Sequence, residues 1–261
     1  MIGTLVFSSV EQVDSDRASL VAGSAPPNPE NEGMIATPAP APHSLTFRSG
    51  AVTKLLLIVV GSLLLMHLLM QYDRFHAGRA PWELQQLFDL DEEQSAPNWY
   101  SAAALGFASL LAAAICGRAR SLARPDAARW AAVAWILLYL CFDEVAGVHE
   151  TVNSLSPVSW TVPFGLLALG VGAWMLPFAR RLPPPTRNGL ILSGVTYVMG
   201  AVGIELLTSQ FFDESNKRQF SYAFYTIAEE GMEMLGVVWV IRTLLRHMER
   251  DSGSATIEIK G

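Results

Sequence analysis

The chain has 261 residues, of which 51% are hydrophobic and only 16% charged, with a mean hydropathy of +0.31. Soluble domains carry about 25% charged residues, so this deficit argues against water as the only solvent and points to lipid. A formal net charge of -6 argues against nucleic acid as a partner, because that interaction needs a basic face.

Residues 1–50 read as a disordered, Pro-rich cytoplasmic tail, with Pro26, Pro27, Pro29, Pro38, Pro40 and Pro42 set among Ala, Ser and Glu. The opening run from Ile2 to Phe7 is too short and lacks the basic flank of a cleavable signal peptide. The first span is expected at about 51–72, with Lys54 near its inner end, because about 20 apolar residues cross the hydrocarbon. Residues 73–97 form the longest connection. Inside it, a short amphipathic helix at about 81–90 is expected to lie on the membrane surface. Pro81 suits a first-turn position, Leu84, Leu87 and Phe88 share a face, and Trp82 belongs at headgroup level. The acidic run Asp89, Asp91, Glu92 and Glu93 follows.

Further spans are expected at about 99–116, 130–148, 160–178, 190–208 and 223–245, with a cytoplasmic tail over 248–261. The predicted fold class is therefore all-α: a polytopic six-transmembrane-helix bundle over 51–247, with one short interfacial amphipathic helix. Six crossings put both termini on one side. Lys54, Arg118, Arg120, Arg180, Arg181 and Arg246 are among the many basic residues on that side, against Arg74, Arg79, Lys217 and Arg218 on the other. The positive-inside rule makes the tail side cytoplasmic. Cys116 and Cys141 lie in apolar runs, form no metal or redox motif, and read as small packing residues.

Two of the apolar runs carry acids. Asp143 and Glu144 sit in the third and continue into His149 and Glu150, while Glu229, Glu230 and Glu233 sit in the sixth. Each charge inside hydrocarbon costs roughly 2.5–3.5 kcal/mol on insertion scales, so the acids are expected to share a neutralising site. At about 1.5 Å per residue, Asp143, Glu229 and His67 each lie about 20 Å from the inner boundary, and Glu205 about 25 Å. Glu233 lies deeper. On a continuous helix, Asp143 and Glu150 share a face, as do Glu229 and Glu233.

Carboxylates and imidazoles from facing helices ligate divalent metals, so Asp143, Glu150, Glu229, Glu233, Glu205 and His67 are the candidate ligands for iron, manganese or zinc. Glu144, Glu230 and His149 are the candidates for moving protons. The plainer alternative for each is a protonated acid or a histidine hydrogen-bonded between helices. Glu205 lies near enough to the surface to snorkel. The nucleophile elbow, the H-E-x-x-H pair, the P-loop and the Glu-x-x-His pairs of di-iron bundles are all absent.

The stretch Phe142-Asp143-Glu144 with His149-Glu150, together with the later Glu229-Glu230 and Glu233, resembles a group of bacterial multi-pass membrane proteins without an assigned activity. Leu90-Asp91 and the run Pro97-Asn98-Trp99-Tyr100-Ser101 belong to the same pattern. The resemblance implies a bacterial inner (plasma) membrane and no particular reaction. A likeness to alkaline ceramidases through Asp143-Glu144 stops there, because their late histidine pair is missing.

The leading expectation is a metal-dependent membrane enzyme acting on a lipid or other apolar substrate. A proton or cation carrier, or a structural subunit without catalysis, is the alternative. The expected partners are membrane lipids, with a membrane partner subunit or a second copy of the chain alongside.

Overall fold

The computed structural model describes residues 5–6, 43–155, 159–212, 219–253 and 255–259. Most of the expected N-terminal tail and the last residues of the C-terminal one lie outside the described residues.

The long helices are α1 (Ser49–His76), α3 (Ala96–Ser121), α4 (Ala127–Ala146), α6 (Thr161–Arg181), α7 (Pro184–Val198) and α9 (Tyr222–Ser252). Between them lie the short helices α2 (Trp82–Leu87), α5 (Val148–Leu155) and α8 (Glu205–Phe211). A π-helical segment, Met199–Ile204, joins α7 to α8 in one continuous rod. Strands β1 (Leu5–Val6), β2 (His43–Phe47) and β3 (Ala255–Ile259) form a small antiparallel sheet, with β3 in the middle.

Helix starts follow local chemistry. Ser95 caps α3 by accepting the Asn98 N–H at 3.3 Å, with Pro97 in the first turn, where its missing N–H is harmless. Pro183 stops α6, and Pro184 opens α7. Along α3, Ala104, Ala108 and Ala112 form a buried seam of small side chains on which α4 lies closely. The hydroxyl of Ser109 donates to the Ala134 carbonyl across that seam at 2.9 Å.

α9 is the central element. It packs against α1, α3 and α7, and Met234, Val238, Ile241 and Leu244 are buried along it. Glycines bring α7 and the π segment close to it. A Cβ on Gly236 would lie 2.9 Å from the Tyr197 backbone nitrogen, and one on Gly200 would lie 2.7 Å from the Glu229 carbonyl oxygen. α6 stands at the periphery, against α7 and the π segment.

The sheet gathers the ends of α1, α3 and α9 that lie near the chain termini. β2 leads into α1, and β3 follows α9, paired from His43↔Ile259 to Phe47↔Ala255. The Ser49 backbone N–H and hydroxyl donate to Glu249 Oε1 and Oε2, each at 2.9 Å. Asp251 accepts from Arg118 Nε and Arg124 Nη1, both at 2.8 Å. Segments expected to be parts of free tails are therefore strands that tie together the ends of α1, α3 and α9.

Among the described residues, four helical segments are long and apolar enough to cross a membrane: Ser49–His76, Ala96–Ser121, Thr161–Arg181 and Pro184–Phe211. Their outer faces leave large apolar side chains open, among them Leu166 at 66% and Leu169 at 72% exposure. Helices of this length and hydropathy, with such side chains on their outer faces, support integration into a membrane. Six spans were expected. The two outside this set are α4 and α9, because every 18-residue window of either holds at least three Asp, Glu or Arg residues. The helices that fall short on composition are the ones carrying Asp143, Glu144, Glu229, Glu230 and Glu233.

A second difference concerns the third expected span. It does not run unbroken to residue 148. α4 ends at Ala146, and Gly147 takes the left-handed conformation (φ 57°, ψ 40°) that ends helices, its N–H bonding the Asp143 carbonyl at 2.8 Å. Asp143 and Glu150 therefore lie on different helices, and the shared face inferred from a seven-residue spacing is lost. The expected surface helix is shorter, Trp82–Leu87, with Trp82, Leu84 and Leu87 exposed.

Candidate functional site

Between α4, α6, α7 and α9 lies a cavity of about 1390 Å³. It forms because α4 pairs with α3 and α7 pairs with α9, leaving α6 to close the gap from outside. Most of its wall is apolar, with Trp135, Leu167, Met175 and Val195 among the lining residues. Nine carboxylates also line it: Asp91, Glu92, Glu93, Asp143, Glu144, Glu205, Glu229, Glu230 and Glu233. No Lys or Arg does.

The reversal at Gly147 builds the polar end. Because α5 starts in a new direction, His149 folds back over the last turn of α4. Its backbone N–H donates to Asp143 Oδ1 at 3.1 Å, and its Nδ1 meets Asp143 Oδ2 at 3.1 Å. When the Asp143 carboxylate is ionised it only accepts, and the neutral ring beside it then carries its proton on Nδ1, with Nε2 as the basic nitrogen. The imidazole packs against Trp160 with centroids 5.0 Å apart, and Trp160 packs in turn on Phe164 of α6. Both His149 and Asp143 face the cavity. Beside them, Asn98 of α3 donates to the Glu144 carbonyl at 2.8 Å and fixes the end of α4.

From the opposite wall come Glu229, Glu230 and Glu233 of α9. Glu144 of α4 is near enough to act on Glu230 and Glu233 through its charge, and Tyr197 of α7 lies beside Glu233. At the rim the Tyr222 hydroxyl donates to Asp91 Oδ1 at 3.2 Å. Glu205 lines the cavity from the start of α8.

Six sequence candidates thus share one cavity with Asp143: Glu144, His149, Glu205, Glu229, Glu230 and Glu233. His67 is not among its lining residues. It is buried at 1% exposure, its Nδ1 accepts the Leu90 N–H at 3.0 Å, and its Nε2 is buried without a hydrogen-bond partner among the described residues. Its ring pins the end of the surface loop to α1, where Asp89 is also held by Gln71 at 3.1 Å. The side chain of Glu150 lies outside the described residues. Among those described, no three His, Cys, Asp or Glu residues gather closely enough to hold a metal ion. The acids surround a space rather than a point.

Asn98, Trp160, Tyr197 and Tyr222 also belong to the site, although the sequence assigns them no role in it. Asn98 carried a signal: it is an amide in the first turn of an otherwise alanine-rich apolar helix.

A family model described as a domain of unknown function matches residues 54–248, from the first turns of α1 to near the end of α9. The chain belongs to the DUF8692 family. The matched stretch covers the residues that line the acidic cavity and leaves out all three strands. No curated protein and no solved structure matches the chain.

Proposed function

We propose that this DUF8692 protein is an enzyme of a bacterial inner membrane that performs proton-transfer chemistry on the polar end of a lipid or other apolar-tailed substrate. In this reading α4 and α9 cross the membrane with the four apolar segments, giving six spans and cytoplasmic termini. Their acids face the cavity or other helices rather than lipid, which is how such groups are accommodated in a bilayer.

One observation carries the reading: an Asp143–His149 pair opens onto a long, largely apolar cavity. Apolar walls take the tail of the substrate, and convergent polar groups fix its head, the usual composition of a small-molecule site. Asp143 orients the imidazole and stabilises its protonated form. His149 Nε2 then takes a proton from water as the water oxygen bonds to an ester carbon or phosphorus of the head, the bond from that atom to its alcohol oxygen breaks, and Glu144 or Glu230 in its protonated form gives that oxygen its proton. A divalent ion such as iron, manganese or zinc would strengthen this site by gathering several carboxylates, and elemental analysis of the purified protein decides whether one is held.

The test uses the full chain in lipid nanodiscs, incubated with a bacterial lipid extract in ¹⁸O-labelled water. Mass spectrometry reads the products and the lipid co-purifying with the protein. The expected result is a specific lipid retained by the protein and a labelled product that is lost on His149→Gln. Absence of both retention and product overturns the proposal.

A carrier of protons or cations is the second reading. The favouring observation is a cavity that, among the described residues, is lined by nine carboxylates and no Lys or Arg. Ion flux in liposomes, lost in Glu233→Gln, supports it.

A further inference from the structure

We infer that a second site, at the opposite end of the bundle from the His149 pair, binds a phosphate group. It lies where the α3–α4 turn meets the last turn of α6, in a pocket of about 350 Å³. Three arginines line it: Arg124 from the turn, Arg129 from the first turn of α4 and Arg181 from the end of α6. Pro177 and Phe178 provide apolar wall.

The charges do not cancel within the protein. Arg124 shares Asp251 with Arg118. Arg129 is fixed without a carboxylate: its guanidinium lies 4.1 Å over the Trp174 ring, and its Nη1 donates to the Trp174 carbonyl at 3.2 Å. Arg181 has no carboxylate partner among the described residues. The one acid lining the pocket, Asp126, is turned inward. Its Oδ2 accepts the Trp130 Nε1–H at 3.2 Å, and its Oδ1 is buried. Counting Arg118, Arg124, Arg129 and Arg181 against Asp126 and Asp251 leaves a local surplus of two positive charges.

The same place is the N-terminus of the 20-residue α4, whose helix dipole favours an anion there. Arginine forks match phosphate oxygens two at a time. Exposed Trp174 beside the pocket suits headgroup depth, and basic pockets between spans on the cytoplasmic side hold phospholipid head groups. The ligand chemistry is therefore a phosphate, carried either by an anionic phospholipid of the inner leaflet or by a soluble phosphate compound. This site does not depend on the reading of the acidic cavity.

The experiment is thermal unfolding of the full chain in detergent, titrated separately with phosphatidylglycerol, phosphatidylcholine and inorganic phosphate. Stabilisation by phosphatidylglycerol and not by phosphatidylcholine is expected, weakening about fivefold in apparent affinity in Arg181→Gln. Arg180→Gln, which removes the same charge one residue outside the pocket, leaves it unchanged, and Arg181→Lys restores part of it. Stabilisation by inorganic phosphate alone, with the same dependence on Arg181, supports the site and assigns it a soluble ligand. Equal weakening in the Arg180 and Arg181 variants, or equal response to all three additives, overturns it.

Discussion

Asp143 holds His149 twice, through the backbone N–H and through ring Nδ1, each at 3.1 Å. Two contacts to one carboxylate set both the position of the residue and the tautomer of its ring. Replacing Asp143 with Asn keeps the shape and removes that control, because an amide oxygen no longer stabilises a protonated ring. Turnover of the lipid substrate is expected to fall about 10²–10⁴-fold in Asp143→Asn and at least as far in His149→Gln, with lipid retention unchanged in both. Product formation and co-purified lipid, measured on the same preparation, separate loss of chemistry from loss of binding.

The glycine that makes this pair possible is a separate prediction. Gly147 sits at φ 57°, and a Cβ there would run into the Glu93 carboxylate. Gly147→Ala is expected to lower stability by about 1–2 kcal/mol from backbone strain alone and to reduce turnover through misplaced His149. Chemical denaturation and the product assay read the two effects. Turnover equal to wild type in this variant removes the structural account of the pair.

The packing of α7 and the π segment on α9 depends on the absence of side chains at Gly200 and Gly236, whose Cβ atoms would meet backbone at 2.7 Å and 2.9 Å. Backbone gives way poorly, so Gly236→Ala is expected to destabilise by about 1–3 kcal/mol. Gly170→Ala, at a position with open space around it, is expected to be near neutral and serves as the control. Thermal shifts of the two variants in detergent make the comparison.

The Arg118–Asp251–Arg124 cluster predicts an acid limit. Burial raises the Asp251 pKa, but hydrogen bonds from Arg124 and Arg118 and their charges outweigh it, holding the carboxyl below its ordinary value of 3.8. A depressed folded value means the contribution is present above pH 3.8 and is lost as the pH falls through the lower folded value. Stability from this group is therefore flat between neutral pH and about pH 5 and declines below about pH 4. Asp251→Asn is expected to remove about 1 kcal/mol at pH 7 and to flatten the acid dependence of wild type, followed by unfolding curves from pH 3 to 7.

What could be read from the chain was set by length and depth. About 20 apolar residues and a fixed rise per residue place each helix, and they place Asp143, Glu144, Glu229 and Glu230 near one level. Rotation about the helix axis is a different quantity. His67 has the right depth, yet its ring turns to the Leu90 N–H, and nothing along α1 fixes that direction. The break at Gly147 was hidden because one glycine inside an apolar run is compatible with a continuing helix. The β2–β3 pairing joins residues more than 200 positions apart in sequence, and short polar tails carry no pattern that announces such a partner. Tyr197 and Asn98 join the site through packing between helices, and that packing is a property of the whole bundle.

The crossing of α4 and α9 is the prediction on which the location of the acidic cavity depends. With Cys116 and Cys141 replaced by Ala, single cysteines at Leu122, Ser159, Pro183, Gln219 and Gly253 bracket every helix in question. If α4 crosses, Leu122 and Ser159 react from opposite faces of a sealed vesicle. If α9 crosses, Gln219 and Gly253 do the same, and Leu122, Pro183 and Gly253 share the inner face with the sheet. The charges of α4 and α9 make this arrangement stable only because α3, α6 and α7 shield them from lipid, so insertion of either helix alone is disfavoured by several kcal/mol. Labelling of Leu122 and Ser159 from the same side would place Asp143 and His149 outside the hydrocarbon altogether. The cavity would then be a groove at the membrane surface, and a lipid tail would have no wall to lie against.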